Sequence, residues 1–271
     1  MGDKRNFSDA FTNEKATPAT SRRSFIAGWK LCAGAALGLC LAARSSSAAT
    51  ICPSTRGCCF LPGTRIKTPE GETNIEELRI GDNVLTASGE IKPIKFIGRQ
   101  KVSRGRTGPW KNGEGPVKIS RFAIDGKAPH SDLYITPEHA IYIDGILIPA
   151  RNLVNGVTIV ADAKPEIVSL TLFHIELDTH EGILAEGLAV ESFRHDQLHP
   201  HAFFFDNADE YLRLYDSPGE PPAPFAPILR FRGSRQELAS HMRSALAPVY
   251  DIRKPIEKVR DRIIDRLARA A

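Results

Sequence analysis

Ala140-Ile141-Tyr142-Ile143-Asp144-Gly145-Ile146-Leu147-Ile148 is the stretch that decides the fold class. Two apolar, β-branched runs flank Asp144-Gly145, a dipeptide that tolerates the positive φ values of a two-residue hairpin turn. A hairpin is predicted here, and its neighbours repeat the pattern. Thr64 to Thr68 alternates around Ile66 and meets a turn at Pro69-Glu70-Gly71, while Asn83 to Ala87 is a strand ahead of Ser88-Gly89. Asn155-Gly156 marks another turn. Ile167 to Asp178 has the composition of a long strand, and Gly187 allows a bend before Leu188-Ala189-Val190. No stretch from Cys59 to Phe193 holds a long 3.6-residue apolar period, so the domain is predicted to be all-β.

Outside the strands the sequence changes character. Gly98 to Arg121 carries seven Lys or Arg, one Glu and five Gly, and reads as a solvated polar loop. Residues 194–233 are Pro- and aromatic-rich without a period. Ser234-Arg235-Gln236-Glu237 has the form of a capping box, so a helix is expected from there to Pro248. Pro255 opens a second helix in which Ile256, Val259, Ile263 and Leu267 share one face. Such a helical tail packs on its own domain or, alternatively, offers its apolar face to a protein partner or a membrane surface.

The chain of 271 residues has room for one medium domain with appendages or two small ones. With 42% hydrophobic and 25% charged residues it is an ordinary globular composition. A formal charge of +4 is mild and gives no strong argument for a nucleic-acid partner. Ser21-Arg22-Arg23-Ser24-Phe25-Ile26 before the apolar run Ala27 to Ala43 resembles a twin-arginine (Tat) export signal, with Ser47-Ala48-Ala49 as the expected cleavage site. The mature chain is then expected in the periplasm or outside the cell, the alternative being a membrane anchor with an uncleaved leader. Removal of the leader takes Cys32 and Cys40 with it and leaves Cys52, Cys58 and Cys59. Three cysteines permit one bridge and one reactive thiol, so Cys59 is either a nucleophile or half of a disulfide with Cys52. No paired Cys-x-x-Cys accompanies them, and no metal or other cofactor is expected.

Cys59-Phe60-Leu61-Pro62-Gly63-Thr64-Arg65-Ile66 resembles the start of Hint (Hedgehog/intein) domains, in which a cysteine heads the domain and Gly-Thr leads into the first strand. Thr136-Pro137-Glu138-His139 resembles the family's Thr-x-x-His motif and stands, as there, just before a hairpin. Phe173 to Asp178, His180 and Gly187-Leu188-Ala189-Val190 look like its closing strands, and Ile80-Gly81-Asp82-Asn83-Val84 also fits. The resemblance covers about half the chain. It implies an all-β Hint fold with a C-terminal helical tail, and self-processing with Cys59 as nucleophile and the chain's own upstream peptide as substrate.

The chemistry can be stated without the family. A thiolate at Cys59 can attack the carbonyl of Cys58 and exchange an amide for a thioester. The amide nitrogen leaves poorly, so an imidazole must supply its proton. His139 suits that role near neutrality, and Thr136 suits the supporting hydrogen bonds. His174 and His180 are further candidates for support. The acceptor that resolves the thioester, water or a thiol, is left open. An intein closes with His-Asn and a downstream nucleophile, whereas this chain has Glu191-Ser192-Phe193 at the matching place. The family also often has an acidic residue where His174 stands. The resemblance therefore implies N-terminal cleavage at Cys58-Cys59 without full splicing. The other readings kept open are a silent Hint module with a structural or binding role, and a Cys-His hydrolase acting on other chains. The expected layout is a leader over 1–49, a short upstream segment over 50–58, the Hint domain over 59–193, a linker over 194–233 and helices over 234–271.

Overall fold

The computed structural model describes residues 58–104, 110, 115–161, 163, 166–194, 205–214, 222–231 and 233–270. The segment expected as a leader over 1–49 and the expected upstream segment before Cys58, Cys52 included, lie outside them. The predicted hairpin is present, with β8 (Ala140–Ile143) pairing β9 (Ile146–Pro149). Its turn residues Asp144 and Gly145 have φ of 51° and 81°, the two positive values of a type I′ turn. β1 (Arg65–Thr68) pairs β2 (Gly71–Asn74), and β12 (Gly182–Ala185) pairs β13 (Leu188–Glu191). The six form one sheet in the order β2-β1-β12-β13-β8-β9. β3 (Asn83–Leu85), shorter than the strand expected over Asn83 to Ala87, pairs with β4 (Ile91–Pro93) across the turn expected at Ser88-Gly89.

A second layer holds β5 (Phe96–Ser103) against β11 (Ser169–Glu176), and β6 (Val117–Ile119) between β7 (Leu133–Ile135) and β10 (Ile159–Ala161). β5 corrects the sequence reading. Residues assigned to the polar loop from Gly98 onward are strand as far as Ser103, laddered pair by pair from Gly98↔His174 to Ser103↔Ser169. The run Arg99-Gln100-Lys101 looks like a loop because these three side chains are half-buried or exposed, and ladder hydrogen bonds rather than their burial hold them in the strand. Gly98 is required in that ladder, since a Cβ there would lie 2.5 Å from the ring of Phe205.

Phe60 ties the two parts of this second layer together. It is fully buried and bridges to Ile135 of β7 on one side and Phe173 of β11 on the other. Removing such a ring costs about 3–5 kcal/mol. The main core around it takes in Ile66, Ile119, Ile141, Ile175 and Val190.

The C-terminal part adds three helices to the β domain. α1 (Ala208–Leu214) lies inside the stretch read as an aperiodic linker, and its Tyr211 packs against Phe96. α2 (Ser234–Leu246) begins where expected, but its N-cap is Gly233, one residue before the serine read as the cap. α3 (Pro255–Ala270) buries Ile256, Val259 and Ile263 in the main core. Its apolar face is thus consumed by its own domain. Among the described residues no helix is long and apolar enough to cross a membrane.

Candidate functional site

Cys59 is 1% exposed and sits where the chain enters the domain, immediately before Phe60. The Phe60 N–H and C=O both bond Phe173, at 2.8 and 2.9 Å, which fixes the backbone one residue downstream. The Cys59 N–H, the nitrogen of the Cys58-Cys59 peptide, donates to Thr136 Oγ1 at 2.7 Å. The Thr136 N–H in turn donates to the Cys59 carbonyl at 2.9 Å. Thr136, fully buried just past β7, therefore clamps Cys59 on both sides. The half-buried Cys58 thiol faces the Glu138 carbonyl at 3.6 Å. Cys58, Cys59, Thr136 and His139, paired from sequence alone, are brought together.

His139 closes a tight turn from Thr136, its ring edge-on to Phe60 at 4.4 Å between centroids. Its Nε2 lies 3.0 Å from the Glu191 carbonyl, which can only accept, so Nε2 carries the hydrogen. The buried Nδ1 makes no hydrogen bond of ordinary geometry among the described residues, which leaves its lone pair for a proton. Burial lowers the His139 pKa, opposed by the Glu191 charge and the Glu191 and Cys59 backbone. Enclosure wins, and the ring is neutral near pH 7.

Behind it stands His174, 5.0 Å away between centroids and packed on Phe193. Burial first, then the charges of His139 and His180, hold it well below the usual imidazole range. His180 receives the Phe225 N–H on Nδ1 at 3.3 Å, which places its own hydrogen on Nε2, 3.7 Å from Glu191 Oε2. The remaining oxygen of Glu191 accepts the Ala140 N–H at 2.8 Å. Burial would raise the Glu191 carboxyl, but the His180 contact, the imidazole charges and the Ala140 N–H outweigh it and keep the group below its ordinary value. A buried carboxylate thus joins the two histidines, touching His139 through its backbone and His180 through its side chain.

A family model described as Hint domain matches residues 58–197. The chain belongs to the Hint domain family. Its fold is similar to solved structures of the MchDnaB-1 intein (14% identity, covering 50% of this chain and 99% of that one, TM-score 0.35). It is also similar to a bacterial intein-like domain from Clostridium thermocellum (14%, 51% and 99%, TM-score 0.29) and a DnaB intein from Synechocystis sp. PCC 6803 (11%, 51% and 99%, TM-score 0.34). No curated protein matches the sequence at a significant level.

Within this Hint domain the residue that sequence reasoning passed over is Glu191. In the sequence it stands where an intein has its closing residues. The available signal was an acidic side chain at the end of an otherwise apolar strand, Leu188-Ala189-Val190-Glu191, a position that is usually solvated and here is 5% exposed. Two more polar clusters stand in the domain. Glu138, next to His139, is 5% exposed and pairs with Arg151 at 2.6 Å, with Arg230 at 3.9 Å. Glu72, His130 and Glu186 converge closely enough to ligate a metal ion, but Arg65 already places Nη2 2.6 Å from Glu186 and Nη1 3.5 Å from Glu72. With that guanidinium neutralising both carboxylates, the cluster works as an ionic clasp between β1, β2 and the β12–β13 turn.

Proposed function

We propose that this Hint domain processes its own chain at the Cys58-Cys59 bond by an N–S acyl shift, giving N-terminal cleavage without splicing. One observation carries the reading: the nitrogen of that peptide is held by Thr136 Oγ1 while the neutral His139 presents an unoccupied Nδ1 beside the same backbone. Nδ1 takes the proton of the Cys59 thiol, and Sγ attacks the Cys58 carbonyl carbon. As the tetrahedral adduct collapses, the C–N bond breaks and His139 returns the proton to the leaving nitrogen. The products are a Cys58 thioester on Sγ and a free Cys59 amine, with no net proton gained or lost. Thr136 keeps the nitrogen in line, and Glu191 holds the His139 ring in the tautomer that leaves Nδ1 unprotonated. Water or an added thiol then releases the residues through Cys58.

A second reading, a silent module that keeps the Hint fold as a binding or structural unit, draws on the burial of Cys59 at 1% exposure, which shields the thioester from an acceptor. Intact mass decides between them. The full chain is incubated with excess dithiothreitol at neutral pH beside Cys59→Ala. Thiol-dependent loss of the residues through Cys58, absent in the variant, supports the acyl shift; an unchanged mass supports the silent module.

A further inference from the structure

We propose that α2 and the turn after it dock on an anionic lipid surface. The helix is inside out. Its buried side carries polar groups: Ser240 is 3% exposed and bonds Glu257 of α3, and Arg243 Nε lies 2.9 and 3.0 Å from the two oxygens of the same carboxylate. Its solvent side carries apolar groups at four-residue spacing, Leu238, Met242 and Leu246, exposed by 64, 60 and 53%. Val249 and Tyr250 extend this patch into the turn at 90 and 72% exposure. A single exposed leucine needs no explanation, but five large apolar side chains exposed on one helix face and the turn after it mark a surface that meets something.

Charge selects the occupant. Residues 234–270 hold nine Lys or Arg against five Asp or Glu, a net +4 that equals the charge of the whole chain. Arg235 is exposed one turn before Leu238 on the apolar face. Beyond Tyr250, an open cleft of about 300 Å³ on α3 is lined by Arg253, Lys258, Arg262, Asp265, Arg266 and Arg269; Arg253 and Lys258 pair with Asp251 and Arg262 with Asp144, while Arg266 and Arg269 add cationic charge beside them. A second copy docked patch to patch would set two such basic segments against each other, which opposes self-association. A bilayer with anionic headgroups accepts both features at once: the side chains enter the boundary of the acyl region and the cations meet the phosphates. The sequence-based expectation of a membrane-facing tail rested on Ile256, Val259, Ile263 and Leu267; the structure buries the first three and half-buries Leu267, so the candidate surface moves to α2.

Hydrogen exchange of the full chain, read peptide by peptide, tests the proposal and separates α2 from anything at the N-terminus. With vesicles of phosphatidylcholine and phosphatidylglycerol the amides of 235–252 gain protection, and with phosphatidylcholine alone they do not. Leu238→Asp with Met242→Asp abolishes this protection while leaving the melting temperature and the Cys58-Cys59 cleavage rate unchanged. Arg235→Gln with Arg269→Gln weakens vesicle partition by roughly five-fold per charge removed. No protection of 235–252 on anionic vesicles overturns the proposal. So does equal protection on neutral vesicles, or protection that rises with protein concentration without lipid, which would make the occupant a second copy.

Discussion

Around Cys59 the β domain buries Thr136, His139, His174, His180 and Glu191, and among the described residues Thr136, His139, His180 and Glu191 each meet a hydrogen-bond or charge partner. In α2 the arrangement is reversed, with Ser240 and Arg243 turned inward and Leu238, Met242 and Leu246 turned out. The difference teaches where each part finds its stability. The first region is held mainly by its own buried polar contacts, with the Nδ1 atoms of His139 and His174 left without a hydrogen bond among the described residues. The second holds to its domain through an ionic contact to Glu257 and through α3, and its own apolar surface is left for something else.

The largest effect expected from breaking the first region is on rate. His139→Gln should slow thiol-dependent cleavage about 10²- to 10⁴-fold in the intact-mass assay, the range for loss of a general acid–base group, with the circular dichroism spectrum unchanged. Wild-type cleavage in that variant would remove His139 from the mechanism. For the helices, Ile263→Ala should lower the unfolding free energy by about 2–5 kcal/mol in urea titration, because the side chain is 2% exposed in the main core. A loss below 1 kcal/mol would mean that α3 is not part of that core.

Stability should also depend on pH. His139 and His174 both have pKa values below the ordinary 6.5, so the unfolded chain binds protons there that the folded chain refuses. Their contribution is full above about 6.5 and is lost as pH falls, at up to about 1.4 kcal/mol per pH unit for each proton. His174→Gln should flatten urea midpoints measured from pH 7 to 5. A parallel curve would show that His174 does not titrate on unfolding.

Glu191→Gln should slow cleavage about ten-fold, a loss of about 1.4 kcal/mol, since its amide oxygen can still accept the Ala140 N–H but the negative charge is gone. That charge raises the His139 pKa, so its removal should also move the acid limb of the rate profile to lower pH. A slower variant with an unshifted profile would make Glu191 a packing residue only. The smallest effect is expected at Leu238→Ala, within about 0.5 kcal/mol of wild type by thermal melt, because the side chain is 64% exposed. A large loss there would erase the contrast between the two regions.

Much of the site is legible in the sequence because its parts are local. Asp144-Gly145 needs only two residues to dictate a turn, and Thr136 and His139 lie three apart, so one tight turn brings them together. That Cys59 meets them 77 residues away along the chain was readable only through the ordered resemblance of three motifs. Glu191 was not readable. A carboxylate at a strand end is solvated in most sequences with that pattern, and its burial depends on β13 lying beside β8 and on His180 being pinned by Phe225, 45 residues further on.

Periodicity and turn chemistry by themselves determined an all-β domain with a helical tail, since alternation over a few residues needs no knowledge of the rest of the chain. They also placed the apolar face of α3. Tertiary structure alone decided that Gly98 to Ser103 is a strand, that Gly233 caps α2, and that α2 shows its apolar side to solvent. Each of these turns on which surface a distant segment covers: β11 supplies the ladder for β5, and Glu257 draws the polar side of α2 inward. A local pattern states which side of an element is apolar, and only the packed chain states which side is covered.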